Sequence, residues 1–144
     1  MTVTGGCRCG KTRYSLDVEA MPLTYACHCT LCQRSTGASF AHQMPVREAV
    51  LSVEGSPLEV AMTGPSGSRS IQRYCPECLT RLYNTNEARP GLVIVRAGTI
   101  DGSERLSPVV HIFTSTKQPW ITLPEDAEAY ADAAPMEAWG RFFR

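Results

Sequence analysis

Clustered cysteines constrain the fold of this chain more than any other sequence feature. Its seven cysteines fall in three short motifs: Cys7-Arg-Cys9, Cys27-His-Cys29-Thr-Leu-Cys32 and Cys75-Pro-Glu-Cys78. Sulfurs at such short spacings suit a soft divalent metal better than they suit an apolar core. The first and third motifs together supply four thiolates, enough to close a structural zinc site. The middle motif supplies three and leaves a coordination position open, as catalytic zinc sites do.

Length and charge balance limit the classes of protein to which this chain can belong. Its 144 residues favour one domain. The 14 basic and 14 acidic side chains cancel, and a surface that binds duplex nucleic acid would need a basic face, so we expect no nucleic-acid partner. No stretch approaches the ~20 apolar residues of a membrane helix, and we see no secretion signal. We therefore expect a cytoplasmic protein without membrane contact, in a compartment that keeps thiols reduced.

Alternation of apolar and polar residues predicts a mainly β protein. The candidate strands cover residues 11–18, 23–26, 39–44, 58–62, 70–74, 81–84, 92–97 and 109–113. The pair Gly5-Gly6 indicates a turn. Helices are few and short, with candidates at 31–35, 124–130 and 135–143. We expect an antiparallel β body with the metal sites at strand ends.

The four-cysteine site depends on two different local geometries. Residues two apart on a strand point to the same face, so Cys7 and Cys9 can reach one metal. Cys75 and Cys78 have the spacing of a zinc knuckle. The alternative is that these are small buried residues, as free cysteines often are, although Pro-Glu between the last two is a poor core sequence. Leu79 occupies a position where a glycine would ease the turn, and must be strained there or avoid a positive φ.

The three-cysteine motif is the better candidate for chemistry. An open position on a metal held by Cys27, Cys29 and Cys32 can accept a substrate thiol and favour its ionised form. His28 would point away from its neighbours on a strand, which favours a structural role over ligation. Two alternatives remain at this level: a fourth ligand supplied by His42 or His111, and a metal-free thiol cluster that senses redox state.

These motifs together resemble the family of glutathione-dependent formaldehyde-activating enzymes, which includes the centromere protein V-type domains. The matching segments are Gly6-Cys-Arg-Cys-Gly10, Cys27-His-Cys-Thr-Leu-Cys-Gln-Arg34, Thr36-Gly-Ala38, Arg73-Tyr-Cys-Pro-Glu-Cys78, His111-Ile-Phe113 and Pro119-Trp120. The resemblance spans about residues 4–130 of a single zinc-binding domain over 1–144, and leaves a helical tail over about 131–144.

The resemblance implies a β-tent fold, in which stacked antiparallel sheets with few short helices carry two zinc sites. It implies a structural zinc on Cys7, Cys9, Cys75 and Cys78. It also implies a labile zinc on the catalytic residues Cys27, Cys29 and Cys32, near which glutathione binds. The implied reaction is the reversible addition of the glutathione thiol to formaldehyde, which gives S-hydroxymethylglutathione. In reverse this is a carbon–sulfur lyase reaction.

Glutathione carries carboxylates, which are commonly bound by arginine side chains or backbone amides. Arg34 is the first candidate for this role because it follows the three-cysteine motif closely. Arg8, Arg73 and Lys117 are the next candidates.

Two other functions compete with the enzyme. A non-catalytic binding module would use both zinc sites to hold the sheets together and would present aromatic anchors to a partner. The candidate anchors are Phe113, Trp120, Trp139, Phe142 and Phe143. A thiol redox protein is the third interpretation, but the chain lacks the thioredoxin-like Cys-x-x-Cys at a strand-to-helix junction. Metal content discriminates among the three.

Overall fold

A computed structural model describes residues 1–143 and has mainly β structure in two sheets. The strands are β1 (Thr2–Gly6), β2 (Arg13–Asp17), β3 (Thr24–Cys27), β4 (Ala41–Arg47), β5 (Leu51–Glu54), β6 (Leu58–Thr63), β7 (Arg69–Tyr74), β8 (Arg81–Asn86), β9 (Leu92–Arg96), β10 (Pro108–Ile112) and β11 (Glu128–Ala129). The α-helices are α1 (Thr30–Thr36) and α2 (Met136–Trp139). Short 3₁₀ turns cover Glu48–Val50, Ala97–Thr99, Ser103–Arg105, Thr114–Thr116 and Gly140–Phe143.

The two sheets confirm the predicted fold class and add one parallel edge. The small sheet has the order β1-β2-β5, and the large sheet has the order β11-β10-β3-β4-β9-β8-β7-β6. All pairs are antiparallel except those that β10 makes with β3 and β11. Strand β10 is far from β3 in sequence, and a long connection allows a strand to run in the same direction as its neighbour.

The sheets stack face to face around an apolar core. Val3 and Leu16 of the small sheet belong to one buried cluster with Met44, Val93 and Val95 of the large sheet. Removing each such side chain from water contributes about 1.5–3 kcal/mol to folding. Because side chains alternate along a strand, burial of Val93 and Val95 directs the residues between and beside them to the opposite face of the large sheet.

A second apolar cluster attaches the C-terminal segment to the large sheet. The rings of Trp139 and Phe142 lie 4.9 and 6.2 Å from the Tyr25 ring, both edge to face. The helix predicted over 135–143 corresponds to α2 and the 3₁₀ turn that follows it. Arg144, the last residue of the predicted tail, lies outside the described residues.

Two local predictions were wrong, for identifiable reasons. Gly5 and its neighbour lie inside β1 and not in a turn. Position 5 requires a glycine because a side chain there would come within 2.4 Å of the Tyr14 ring and 2.6 Å of the Thr99 carbonyl. Residues 124–130 do not form a helix. They form a turn followed by β11, whose pairing with Val110 in β10 overrides local helix propensity. Strands β1 and β5 were not predicted.

Among residues 1–143, no helix is long and apolar enough to cross a membrane.

Candidate metal centres and the adjoining cavity

Four sulfurs converge at one end of the core, as the first and third motifs predicted. Cys7 and Cys9 were expected on one face of a strand, which was wrong: β1 ends at Gly6, and both lie in the turn between β1 and β2. The Sγ atoms of Cys7, Cys9, Cys75 and Cys78 all lie within 4.8 Å of one another. The Cys7–Cys9 and Cys9–Cys75 sulfur distances are 3.5 and 3.8 Å. A Zn–S bond of about 2.3 Å in a tetrahedron separates its sulfurs by about 3.8 Å. This set of donors therefore fits a closed zinc site.

Thr80 joins the two halves of this site. Its hydroxyl accepts a hydrogen bond from the Arg8 backbone N–H at 3.1 Å and contacts Cys78 Sγ at 3.1 Å. Hydrogen bonds from the Thr80 hydroxyl and backbone lower the pKa of Cys78 to about 5. The thiolate form of Cys78, which is the form that binds metals, is thus favoured by its own surroundings.

Leu79 adopts a strained conformation with positive φ; the alternative considered from the sequence was that it would avoid this region. Its φ is 59°, in the left-handed region, while its backbone N–H donates to the Cys75 carbonyl at 3.0 Å. A non-glycine residue in this region costs about 1–2 kcal/mol. Leu79 is also exposed, so its side chain adds little packing in return.

Leu79→Gly is therefore expected to raise the free energy of unfolding by about 0.5–1 kcal/mol. The expected gain is the strain energy that glycine relieves in the folded state, minus the conformational entropy that it adds to the unfolded chain. Chemical denaturation of the zinc-loaded protein measures it. Leu79→Ala is the matched control, since it also removes the exposed side chain but keeps the left-handed strain. A gain in Leu79→Ala equal to that in Leu79→Gly would contradict the explanation.

The three-cysteine motif also forms one cluster, at the junction of β3 and α1. Cys27 ends β3, Cys29 is the N-cap of α1, and Cys32 lies in its first turn. The Cys32 backbone N–H donates to Cys29 Sγ at 3.3 Å. All three sulfurs lie within 4.8 Å of one another. Cys27 is buried and the other two are half-buried, so the cluster is open on one side. The donors fit a zinc site with three protein ligands.

The three thiols do not ionise alike. A hydrogen bond from Cys27, followed by one from Cys29 and the positive charges of Arg96 and Arg81, lowers the pKa of Cys32 to about 6. The same hydrogen bond with Cys32, together with burial, raises the pKa of Cys27. A thiolate therefore forms most readily at Cys32, on the side of the cluster that faces the two arginines.

The histidines form their own contacts. His28 Nε2 lies 3.0 Å from His111 Nδ1, and His28 is completely buried. Burial, followed by the charges of His111 and Lys117, lowers the pKa of His28 to about 4. His42 Nε2 lies 2.8 Å from the hydroxyl of Thr24. Among residues 1–143, no histidine joins the three sulfurs within ligand distance.

A cavity of about 360 Å³ adjoins the three-cysteine cluster, and Cys32 forms part of its wall. This is within the usual range for small-molecule sites. It lies on the face of the large sheet opposite the main core, where Ile94 and Arg96 alternate with the buried valines of β9. Leu31 and Ser35 of α1 line one side, and the turn between β6 and β7 lines another.

Polar side chains from neighbouring strands form the floor of the cavity. The strand registers place Gln43 opposite Arg96, and Asn84 opposite both Ile94 and Gln72. The cationic residues of the wall are Arg81, Arg89 and Arg96. Within the described residues, no aspartate or glutamate lines the cavity. Its wall is therefore cationic, which suits an anionic ligand.

The cations that the sequence favoured lie elsewhere. Arg34 is exposed on α1, and Arg8 is exposed in the turn between β1 and β2. Arg73 pairs with a glutamate of β6 at 3.6 Å. Lys117 Nζ donates to the carbonyl of Ile121 at 2.6 Å. None of the four lines the cavity. No local motif singles out Arg81 or Arg96, because their proximity to Cys32 depends on strand order.

Comparison with known proteins identifies the family and the fold. A family model described as "glutathione-dependent formaldehyde-activating enzyme" matches residues 2–116. A crystal structure of a Rhodobacter sphaeroides protein superposes with a TM-score of 0.54, at 18% sequence identity, over 69% of this chain and 88% of that one. At that identity the likeness concerns the fold alone. No curated protein matches the sequence. Since the family model covers most of the chain, this protein belongs to the family of glutathione-dependent formaldehyde-activating enzymes.

Proposed function

We propose that this protein is a zinc-dependent carbon–sulfur lyase-type enzyme that adds the thiol of glutathione to a small aldehyde such as formaldehyde. One observation carries the proposal: a cluster of three cysteine sulfurs opens, through Cys32, onto a cavity with a cationic wall. A thiol with carboxylates fits both parts of this site, because metals bind thiolates and guanidinium groups bind carboxylates. Family membership supports the same reaction class.

The proposal assigns the two cysteine clusters different tasks. Cys7, Cys9, Cys75 and Cys78 would hold a structural zinc, and Cys27, Cys29 and Cys32 would hold a second, more labile one. When bound, the second zinc supplies a Lewis acid that favours the ionised form of a thiol. The chain itself holds the sulfurs in place: β3 positions Cys27, and α1 positions the other two.

The proposed reaction is balanced without any oxidant or reductant. The substrate sulfur forms a bond to the carbonyl carbon, and the electron pair of the C=O π bond moves to oxygen. That oxygen takes up the proton that the thiol gave up. Because thiols add to formaldehyde without a catalyst, the protein's contribution is to concentrate and orient the two reactants.

The predicted compartment, partners and domain organisation enter the proposal unchanged. Reduced thiols require a reducing compartment, which favours the cytoplasm. The partners are then a small-molecule thiol and an aldehyde, with no role for nucleic acid. One zinc-binding domain over residues 1–144 would contain both sites.

The non-catalytic alternative receives less support from the side chains. Of its five candidate anchors, Phe142 is buried, and Phe113, Trp139 and Phe143 are partly buried in the second core cluster. Trp120 alone among the five is well exposed, at 72%. A single exposed aromatic ring is ordinary for a protein surface.

Cys29→Ser tests the proposal directly. After incubation with zinc, the variant is expected to bind glutathione at least about 10-fold more weakly than the wild type. The reason is that it would no longer hold the second zinc, to which the glutathione thiol would bind. Serine is also a good N-cap, so α1 should be preserved. Isothermal titration calorimetry gives both affinities.

S-methylglutathione is the matched control ligand, since it keeps the carboxylates but has no free thiol. Its affinity should be the same in wild type and Cys29→Ser. Equal glutathione affinity in the two proteins would count against thiol ligation at this site.

A further inference from the structure

Arg96 is a largely buried cation without an acidic partner. Its Nη1 donates to Gln43 Oε1 at 2.7 Å, and its Nη2 donates to Gln72 Oε1 at 3.4 Å. Both partners are neutral amides. No ion pair involves Arg96 among residues 1–143. A buried charge is costly unless an opposite charge compensates it. The Cys32 thiolate is one such charge in the same wall, and an anion bound in the cavity would be a second.

Arg81 lies in the same wall and also has no acidic partner among residues 1–143. Its Nη2 lies 3.7 Å from the sulfur of Met62, and its guanidinium lies over the Tyr74 ring at 5.7 Å. The Nε atoms of Arg81 and Arg96 are both buried without a hydrogen-bond partner in the described part of the chain. Buried polar atoms of this kind are rare and call for an explanation. An anion in the cavity would contact the terminal nitrogens of the two guanidinium groups, and its charge would compensate theirs.

The two glutamines orient Arg96 but do not exhaust its donors. Each amide oxygen engages one terminal nitrogen, which leaves other N–H groups of the guanidinium for a carboxylate. A guanidinium held in one plane binds a carboxylate through two parallel hydrogen bonds. Arg89, by contrast, is exposed at the rim, where solvent weakens its interaction with an anion.

We infer that Arg96, assisted by Arg81, binds a carboxylate of the thiol substrate and thereby directs its sulfur toward Cys32. The inference rests on the proposed function and adds a specificity to it. Arg96 is a positioning residue in this scheme, since it contacts the part of the substrate that does not react. The enzyme should then select acidic thiols over neutral thiols of similar reactivity.

Arg96→Gln tests the inference in the zinc-loaded protein. S-methylglutathione and glutathione should both bind about 10- to 100-fold more weakly than to the wild type, as expected when a charge-assisted hydrogen bond is lost. The affinity for 2-mercaptoethanol, a thiol without a carboxylate, should fall by a much smaller factor, because this ligand loses only the effect of the Arg96 charge on Cys32. Arg96→Lys keeps the charge but not the planar fork of N–H donors, so its affinity for glutathione should lie between those of the wild type and Arg96→Gln. Arg105→Gln, which removes the same charge from an exposed turn, is the matched control and should bind all three ligands like the wild type.

Kinetics provide a second readout. The KM for glutathione should rise in Arg96→Gln, and kcat/KM should fall by a larger factor with glutathione than with 2-mercaptoethanol. Unchanged S-methylglutathione affinity in Arg96→Gln would overturn the inference, and so would an equal loss for 2-mercaptoethanol. A larger loss of affinity in Arg34→Gln than in Arg96→Gln would overturn it as well.

The wild type alone also tests the inference, should Arg96→Gln fail to fold. S-methylglutathione dimethyl ester, in which both carboxylates are neutral, should bind at least about 10-fold more weakly than S-methylglutathione. Equal binding would overturn the inference. Failure of the proposed function has a different signature: 2-mercaptoethanol would not bind, while S-methylglutathione would still depend on Arg96.

Discussion

The Cys9→Ser variant is expected to contain one zinc ion fewer than the wild type and to lose its cooperative thermal unfolding transition. Cys9 is exposed, so serine there creates no cavity and buries no unsatisfied group. Any large effect must therefore come from the metal. Structural zinc binds with about 10–16 kcal/mol in small zinc-binding peptides, which is comparable to the whole stability of a typical domain at about 5–15 kcal/mol.

Two controls separate this explanation from general damage. Arg8→Ala changes the neighbouring exposed residue in the same turn and should keep full zinc content and the wild-type melting temperature. Cys27→Ser should remove the other zinc and keep a cooperative transition. Atomic absorption gives the metal content, and circular dichroism gives the transitions. A Cys9→Ser protein with wild-type melting temperature and metal content would refute the four-cysteine assignment.

A mild chelator is expected to remove one zinc ion per chain and to lower activity by about 100-fold or more, while the protein stays folded. The three-cysteine cluster has fewer protein ligands and is open on one side, so its metal should leave first. This zinc would hold the ionised substrate thiol beside the aldehyde. Losing that orientation costs several kcal/mol, and each 1.4 kcal/mol is about tenfold in rate.

Adding zinc back should restore both activity and stoichiometry. The thermal transition should persist throughout the treatment, because the four-cysteine cluster at the end of the core would keep its metal. Two outcomes would contradict the division of roles. One is full activity after removal of the first zinc. The other is unfolding at the same chelator concentration that removes it, which would favour a scaffold with two structural metals.

The sequence predicted the metal clusters well because sulfur donors at short spacings leave few alternatives. Cys75 and Cys78 form a knuckle, as local rules suggest. One prediction was wrong: Cys29 and Cys32 do form a Cys-x-x-Cys at a strand-to-helix junction, because β3 ends at Cys27 and α1 begins at Thr30. The strands at 92–97 and 109–113 were also predictable, since their alternation or β-branched content is strong. Such features depend on residues within a few positions of one another.

The cavity was not predictable in the same way. Arg96 was visible as the end of an apolar strand, but its position beside Gln43 and Gln72 follows from which strands pair and in which register. Arg34 was favoured because it is near Cys32 in sequence, yet it points to solvent from α1. The available signal was weaker: an arginine at a strand position that alternates with buried valines indicates a polar face on that sheet.

The grouping of the cysteines, the mainly β class and the family could be predicted from the sequence, because each depends on short-range spacing or on short motifs. Only the tertiary structure decided where the ligand cavity lies and which cations line it. Strand order brings β4, β7, β8 and β9 together into one face beside the Cys32 cluster. That order is set by packing between residues far apart in sequence, which no local pattern records.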